Sequence, residues 1–270
     1  MKKLIVVADW AADGLTSQQV RSTIEGYLQH NDNPNINFIP VSFSTLHGGF
    51  VSSQVIEIEE RNGRPLDTVL YVGVDPKEAD TFSAIFMIAR LKSGLIICGP
   101  NNGLNFSFIK QKIDEIFIYK GLEEKMFFRS RDLYARVIAH LMEAMEDEMD
   151  IEETHTNLIP ALEGFFVGHI DNFGNIITTV TQEDVKGKLE IGDETKIKIN
   201  EVVVTARFLD ILTKGNEGSL ILSPSPYGAK DNPFLQLSVL NISQQEENSI
   251  KNTAAAIFGC KMPGYKLQFS

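Results

Sequence analysis

Asp171 and Asn175 stand four residues apart in GHIDNFGNIITTV, with Asn172, Phe173 and Gly174 between them. Asn and Gly tolerate the positive φ of a tight turn, and IITTV is β-branched in the manner of a strand leaving one. A plain hairpin requires neither the aspartate before the turn nor the second asparagine after it. The pair is therefore either turn chemistry or aimed at a ligand. Other polar residues also stand where apolar runs end: Asp9, Asp75, Asn101, Asn102, and the run Arg129-Ser130-Arg131-Asp132. Singly, each has a structural use. Aspartates cap helices, Asn-Gly makes turns, and Arg131 with Asp132 suits an ion pair at a helix start.

Several chemistries are excluded by pattern. No GxGxxG follows the first strand, and neither GxxxxGK[ST] nor GxSxG occurs. His30, His47, His140, His155 and His169 show no paired spacing, so no metal site is expected. His169 and Asp171 read as neighbours on one strand face. A net charge of -11 argues against a nucleic-acid partner, which needs a basic face. Cys98 and Cys260 are too far apart to suggest a disulfide framework and read as reduced thiols of a cytoplasmic protein. The apolar run after Met1 is too short for a signal segment, and no run reaches membrane-spanning length.

The elements that must position these residues follow from periodicity. LIVVA (residues 4–8) reads as a buried parallel strand. A helix follows, capped by Thr16 or Ser17, with Val20, Ile24, Tyr27 and Leu28 on its apolar face. A strand at 36–43, a helix near 50–60, a strand at 68–75 and a helix over 81–91 continue the alternation. A strand running into the glycine-rich turn at 94–103, a strand at 115–121 and a long helix over 130–149 complete it. Strands alternating with helices predict a doubly wound, mostly parallel sheet with helices on both faces, over residues 1–157. Such a sheet places ligands at the carboxyl ends of its strands, where Asp9, Asp75 and the Pro100–Gly103 turn fall. The acidic stretch around residue 150 reads as a solvated helix end and linker. Beyond it, over 158–270, the period drops toward two. GFFVGHI, NIITTV, KLEI, TKIKI, EVVVTARFLDIL, SLILSPS, FLQLSVL and a closing YKLQF predict an antiparallel barrel or sandwich, with a helix near 248–259.

The order of the polar motifs resembles one family, the adenosyl-transferring hydrolases of S-adenosylmethionine with their fluorinase and chlorinase relatives. ADWA keeps Asp9 of that family's Thr-Asp-Phe-Gly and puts Trp10 for the phenylalanine. VDPKEA keeps Val74, Asp75 and Pro76 of Val-Asp-Pro-Gly-Val-Gly. PNNGL, Pro100 to Leu104, is similar to Pro-Asp-Asn-Gly-Leu and to the halogenating branch's Pro-Asn-Asn-Gly-Leu. FRSRD, Phe128 to Asp132, is similar to Phe-His-Gly-Arg-Asp, and IDNFGN to Ile-Asp-x-Phe-Gly-Asn. Asn252, Ala254 and Ala255 fit the family's Asn-x-Ala-Ala.

The resemblance implies an α/β domain followed by a β-barrel, a homotrimer with sites at subunit interfaces, and S-adenosylmethionine as substrate or ligand with no cofactor. It implies that Asp9 binds ribose hydroxyls, Asp171 the methionine amino group and Asn175 the adenine, with Asn102 among the ligand-binding residues. These pairings are chemically sound, since a carboxylate spans a diol or pairs with ammonium and an amide reads a purine edge. The implied reaction is displacement at the ribose C5′ by water, giving adenosine and methionine, with Asp75, Arg129 and Ser130 as the catalytic set. This chain departs from the hydrolase pattern at two of three water-activating positions. Phe82 stands where the family has arginine, and Arg129 where it has histidine. A non-catalytic binding protein on the same scaffold is the alternative. Asp75 argues against a halide nucleophile, which a carboxylate repels.

Overall fold

The computed structural model describes residues 2–30, 33–76, 85–121, 127–240 and 253–269. Phe82, Lys77, Glu78 and Asn252 lie outside the described residues. The chain divides into two compact units, Met1–Leu162 and Glu163–Ser270.

The first unit is a seven-stranded sheet in the order β2-β1-β3-β5-β4-β6-β7. Strand β1 (Lys3–Ala8) lies between β2 (Ile36–Pro40) and β3 (Thr68–Gly73), parallel to both. Alternation along it is regular. Leu4, Val6 and Ala8 join one core with Val20 and Ile24 of helix α1 (Gly14–Tyr27) and Val137, Ile138 and Leu141 of helix α3 (Ala135–Glu143). Val7 joins a second core with Leu70, Val72 and Ile56 of helix α2 (Thr45–Asn62). Helices thus cover both faces, which is why these strands read as unbroken apolar runs.

Five expectations for this unit are corrected. Residues 86–91, expected to be helical, form strand β4 (Phe86–Leu91), antiparallel to β5 (Ile96–Pro100). Six apolar-rich residues ahead of a Lys-Ser-Gly turn suit a buried strand as well as a helix, and pairing with β5 decides it. Antiparallel pairing continues from β4 to β6 (Ile113–Tyr119) and from β6 to β7 (Ile151–Glu153). The sheet is therefore mixed, with parallel pairing confined to β2, β1, β3 and β5. Helix α1 is capped by Asp13, which accepts from the Leu15 amide and the Thr16 hydroxyl, so Thr16 and Ser17 lie inside the helix. The long helix is a π turn (Ser130–Tyr134) followed by α3, and it stops at Ala144 in the left-handed region (φ 57°). The acidic stretch after it is partly structural. Glu146 approaches Lys2 and Arg90, and Glu152 on β7 pairs with Lys120.

The second unit is a closed seven-stranded barrel, β10-β11-β12-β13-β9-β8-β14. Its strands are β8 (Phe165–Ile170), β9 (Ile176–Thr181), β10 (Glu194–Ile199), β11 (Val202–Phe208), β12 (Leu220–Ala229), β13 (Asn232–Val239) and β14 (Lys266–Phe269). All pairs are antiparallel except β11 with β12. The YKLQF segment closes the barrel, because β14 bonds both β10 and β8. KLEI is not a strand; a capping box between Thr181 and Asp184 starts a helical turn (Gln182–Val185), and the chain then turns toward β10. Among the described residues no helix is long and apolar enough to cross a membrane.

Candidate functional site

Strand ends set out the site in the first unit. Asp9 directly follows β1 and opens a 3-10 turn (Asp9–Ala12), accepting from the Trp10 amide at 2.9 Å. Asp75 stands two residues past β3. Asn102, beyond β5, donates through Nδ2 to Asp75 Oδ1 and to the Pro76 carbonyl, both at 3.0 Å. Asn105 donates to the carbonyls of Val74 and Pro100, at 2.7 and 3.0 Å. PNNGL and the residue after it therefore splice the ends of β3 and β5 together and hold Asp75 from behind. Gly103 makes this possible. Its φ is +49°, and a Cβ there would collide with Thr45 Oγ1.

Arg129 and Ser130 enter from the π turn. Asp132 fixes its start by accepting from the Phe128 amide at 3.0 Å and pairing with Arg131. The turn buries Ser130 and sets its Oγ 2.8 Å from the hydroxyl of Tyr71, a β3 residue with no exposure. π turns inside helices recur at functional sites because the extra residue re-aims side chains.

These residues meet at one cavity of about 410 Å³, lined by Asp9, Asp75, Arg129 and Ser130 together with Tyr71 and Tyr134. Its apolar wall includes Trp10 and Phe128, packed edge to face at 5.8 Å, and Phe43 and Phe127, which are largely exposed. The volume suits a drug-sized ligand, and the mix of aromatic wall and few polar groups is that of a small-molecule site. Burial raises the Asp9 carboxyl above its ordinary range; the Trp10 amide opposes this and the charge of Asp75 adds to it. Burial also pushes the Tyr71 phenol well above its ordinary value, against the Ser130 hydrogen bond. For Tyr134, burial raises the phenol while the Arg129 charge lowers it. Both phenols thus stay protonated beside Asp75.

Of the sequence-predicted residues, the structure gathers Asp9, Asp75, Arg129 and Ser130 on the cavity and puts Asn102 behind Asp75. Asp171 and Asn175 belong to the second unit, in the β8–β9 hairpin. There Asp171 Oδ1 accepts from the amides of Phe173 and Asn175, and Oδ2 accepts from Asn175 Nδ2 at 2.8 Å. Gly174 needs its φ of +76°, and a Cβ would strike Thr253 at 2.5 Å. Turn chemistry accounts for this pair within the unit. Burial lowers the imidazole pKa of nearby His169, and the Asp171 charge opposes that shift. Sequence reasoning missed Tyr71 and Tyr134, since an aromatic in an apolar run reads as core. Gly73 was an available signal, for glycine in a strand marks close approach, and a Cβ there would lie 2.9 Å from the Tyr71 ring.

No family model matches the chain. It is 30% identical over 152 residues to the (R)-S-adenosyl-L-methionine hydrolase of Methanocaldococcus jannaschii, covering 50% of this chain and 52% of that protein. The chain thus matches about half the length of this curated relative. Among solved structures, an uncharacterized conserved protein from Thermotoga maritima superposes with a TM-score of 0.71 at 18% identity, over 98% of this chain and 99% of its own. A conserved hypothetical protein from Thermus thermophilus gives 0.64 at 16% identity, over the full length of both chains. At these identities the structural likeness speaks for the fold alone.

Proposed function

We propose that the chain is a hydrolase of S-adenosylmethionine or a closely related nucleoside sulfonium, releasing adenosine and methionine, and acting in the cytoplasm as a homotrimer. The observation that carries this reading is the convergence of Asp9, Asp75, Arg129 and Ser130 on one aromatic-walled cavity at the strand ends. The hydrolase name of the Methanocaldococcus jannaschii relative supports it.

In this reading Asp9 accepts hydrogen bonds from the ribose hydroxyls. Asp75, held by Asn102, accepts a hydrogen from the attacking water and favours the cationic substrate. Ser130 contacts the same water, and Trp10 and Phe128 exclude solvent from the reacting centre. Catalysis rests on alignment of water with the C5′–sulfur bond and on desolvation, since neutral methionine is a good leaving group. In the second unit, Asp171 is assigned the substrate ammonium and Asn175 the adenine. Three donors occupy Asp171, which leaves acceptor capacity for one more.

Arg129 favours a second reading, a binding protein without turnover, because a guanidinium cannot accept a proton where an imidazole can. Trp10, the sole tryptophan, lines the cavity and reports its occupancy. Titrating the protein with S-adenosylmethionine while following Trp10 emission, then separating the products, distinguishes the readings. Quenching with adenosine release supports the hydrolase, quenching alone supports the binder, and the absence of both quenching and release removes both readings. Light scattering tests the trimer; a monomeric mass contradicts it.

A further inference from the structure

Tyr71 Oη and Ser130 Oγ, 2.8 Å apart, come from elements distant in sequence and both line the cavity. Tyr71 is fully buried and Ser130 nearly so. A phenol is more acidic than an alkanol and is the better donor, while a serine hydroxyl can accept from one partner and donate to another. With Tyr71 donating, the Ser130 proton must point elsewhere, and the cavity is the open volume both side chains share. Building on the hydrolase reading, we infer that Tyr71 is a positioning residue that fixes Ser130 as a hydrogen-bond donor to the nucleophilic oxygen, complementing Asp75 as its acceptor.

The pairing of one donor with one acceptor has a chemical consequence. Water offers both a lone pair for Ser130 and a proton for Asp75; a halide offers only lone pairs and meets Asp75 as a like charge. In the step itself a water lone pair forms the bond to C5′. The C5′–sulfur bond breaks, its electron pair remains on sulfur as neutral methionine, and the water proton leaves through Asp75 to solvent. The water oxygen becomes the 5′-hydroxyl of adenosine. That hydroxyl should therefore occupy the same donor–acceptor site in the product complex, where no turnover is needed to detect it.

The test is a titration of wild type, Tyr71→Phe, Ser130→Ala and the double variant with adenosine and with 5′-deoxyadenosine, followed by Trp10 emission and calorimetry. Wild type is expected to prefer adenosine by about tenfold, the scale of one well-made buried hydrogen bond. Each single variant reduces that preference to the part carried by the Asp75 acceptor, and the double variant removes nothing more. A cooperative melting transition in each variant controls for folding. Retention of the full wild-type preference in Tyr71→Phe, or its absence in wild type, overturns the inference and leaves the nucleoside reading standing. Failure of wild type to bind either nucleoside overturns both.

Discussion

The cavity of the first unit and the β8–β9 hairpin of the second carry the same residue types at strand ends and use them in opposite ways. Asp171 is engaged by three donors of its own turn, so its carboxylate shapes the backbone that carries it. Asp75 is held from behind by Asn102, a residue of another loop, and lines an open cavity with Asp9. A carboxylate closed on its own loop specifies a conformation. One buttressed from a neighbouring strand keeps more of its acceptor capacity for something that is not protein.

The contrast can be broken most strongly at Asp75. Asp75→Asn keeps a side chain for Asn102 to meet but removes the proton acceptor. Adenosine release should fall on the order of 100-fold with little change in melting temperature. In the hairpin the same class of change should act on stability. Asp171→Ala strips an acceptor from two amides and a side chain and should destabilise the second unit by about 2 kcal/mol, read by denaturant unfolding. Asp171→Asn sharpens the comparison, since it keeps the acceptor of Oδ1 for the two amides while losing the charge and the Oδ2 acceptor that meets Asn175 Nδ2. If Asp171 also meets the substrate ammonium, S-adenosylmethionine affinity drops roughly tenfold while the loss of stability stays smaller than in Asp171→Ala. Asn102→Ala should lower turnover roughly tenfold with a smaller change in substrate affinity, because it loosens Asp75 while leaving the residues that line the cavity in place.

The smallest effect concerns pH. Burial and the Asp75 charge raise the Asp9 pKa in the folded chain, so the folded state holds that proton more tightly than the unfolded chain does. Stability from this group is present below the ordinary carboxylate range and is lost as pH rises through the raised value. Asp9→Asn should therefore melt higher than wild type at about pH 7, and the difference should vanish near about pH 3, below the ordinary carboxylate pKa. The same variant should lose nucleoside affinity, the usual trade between a strained site and stability.

Much of this was legible in the sequence because local and tertiary signals agree. The apolar runs of β1, β3 and β5 read as buried strands because each is followed by a turn and then by helix-period or strand-pairing sequence, and the polar residues following them gather at one end of a parallel set. The period-two pattern of the second unit led to an antiparallel barrel or sandwich, of which the closed barrel with one parallel pair is the outcome, and YKLQF led to its closing strand. Residues 86–91 were illegible because six apolar-rich residues fit either element until a pairing partner exists. The break after Glu143 was hidden because Ala144, a strong helix former, adopts a left-handed conformation that nothing in its identity announces. In the site, charged and amide residues stood out and Tyr71 did not. Its contribution to the cavity is a single hydroxyl paired with Ser130, 59 positions away in the chain.

The central claim is that the cavity brings water to the ribose C5′. Incubating the protein with S-adenosylmethionine in water enriched in heavy oxygen, and weighing the products by mass spectrometry, tests it directly. The account predicts adenosine carrying the label at its 5′ oxygen and unlabelled methionine in equal amount. Adenosine without label, or no adenosine from protein whose Trp10 emission does not respond to the substrate, would contradict it.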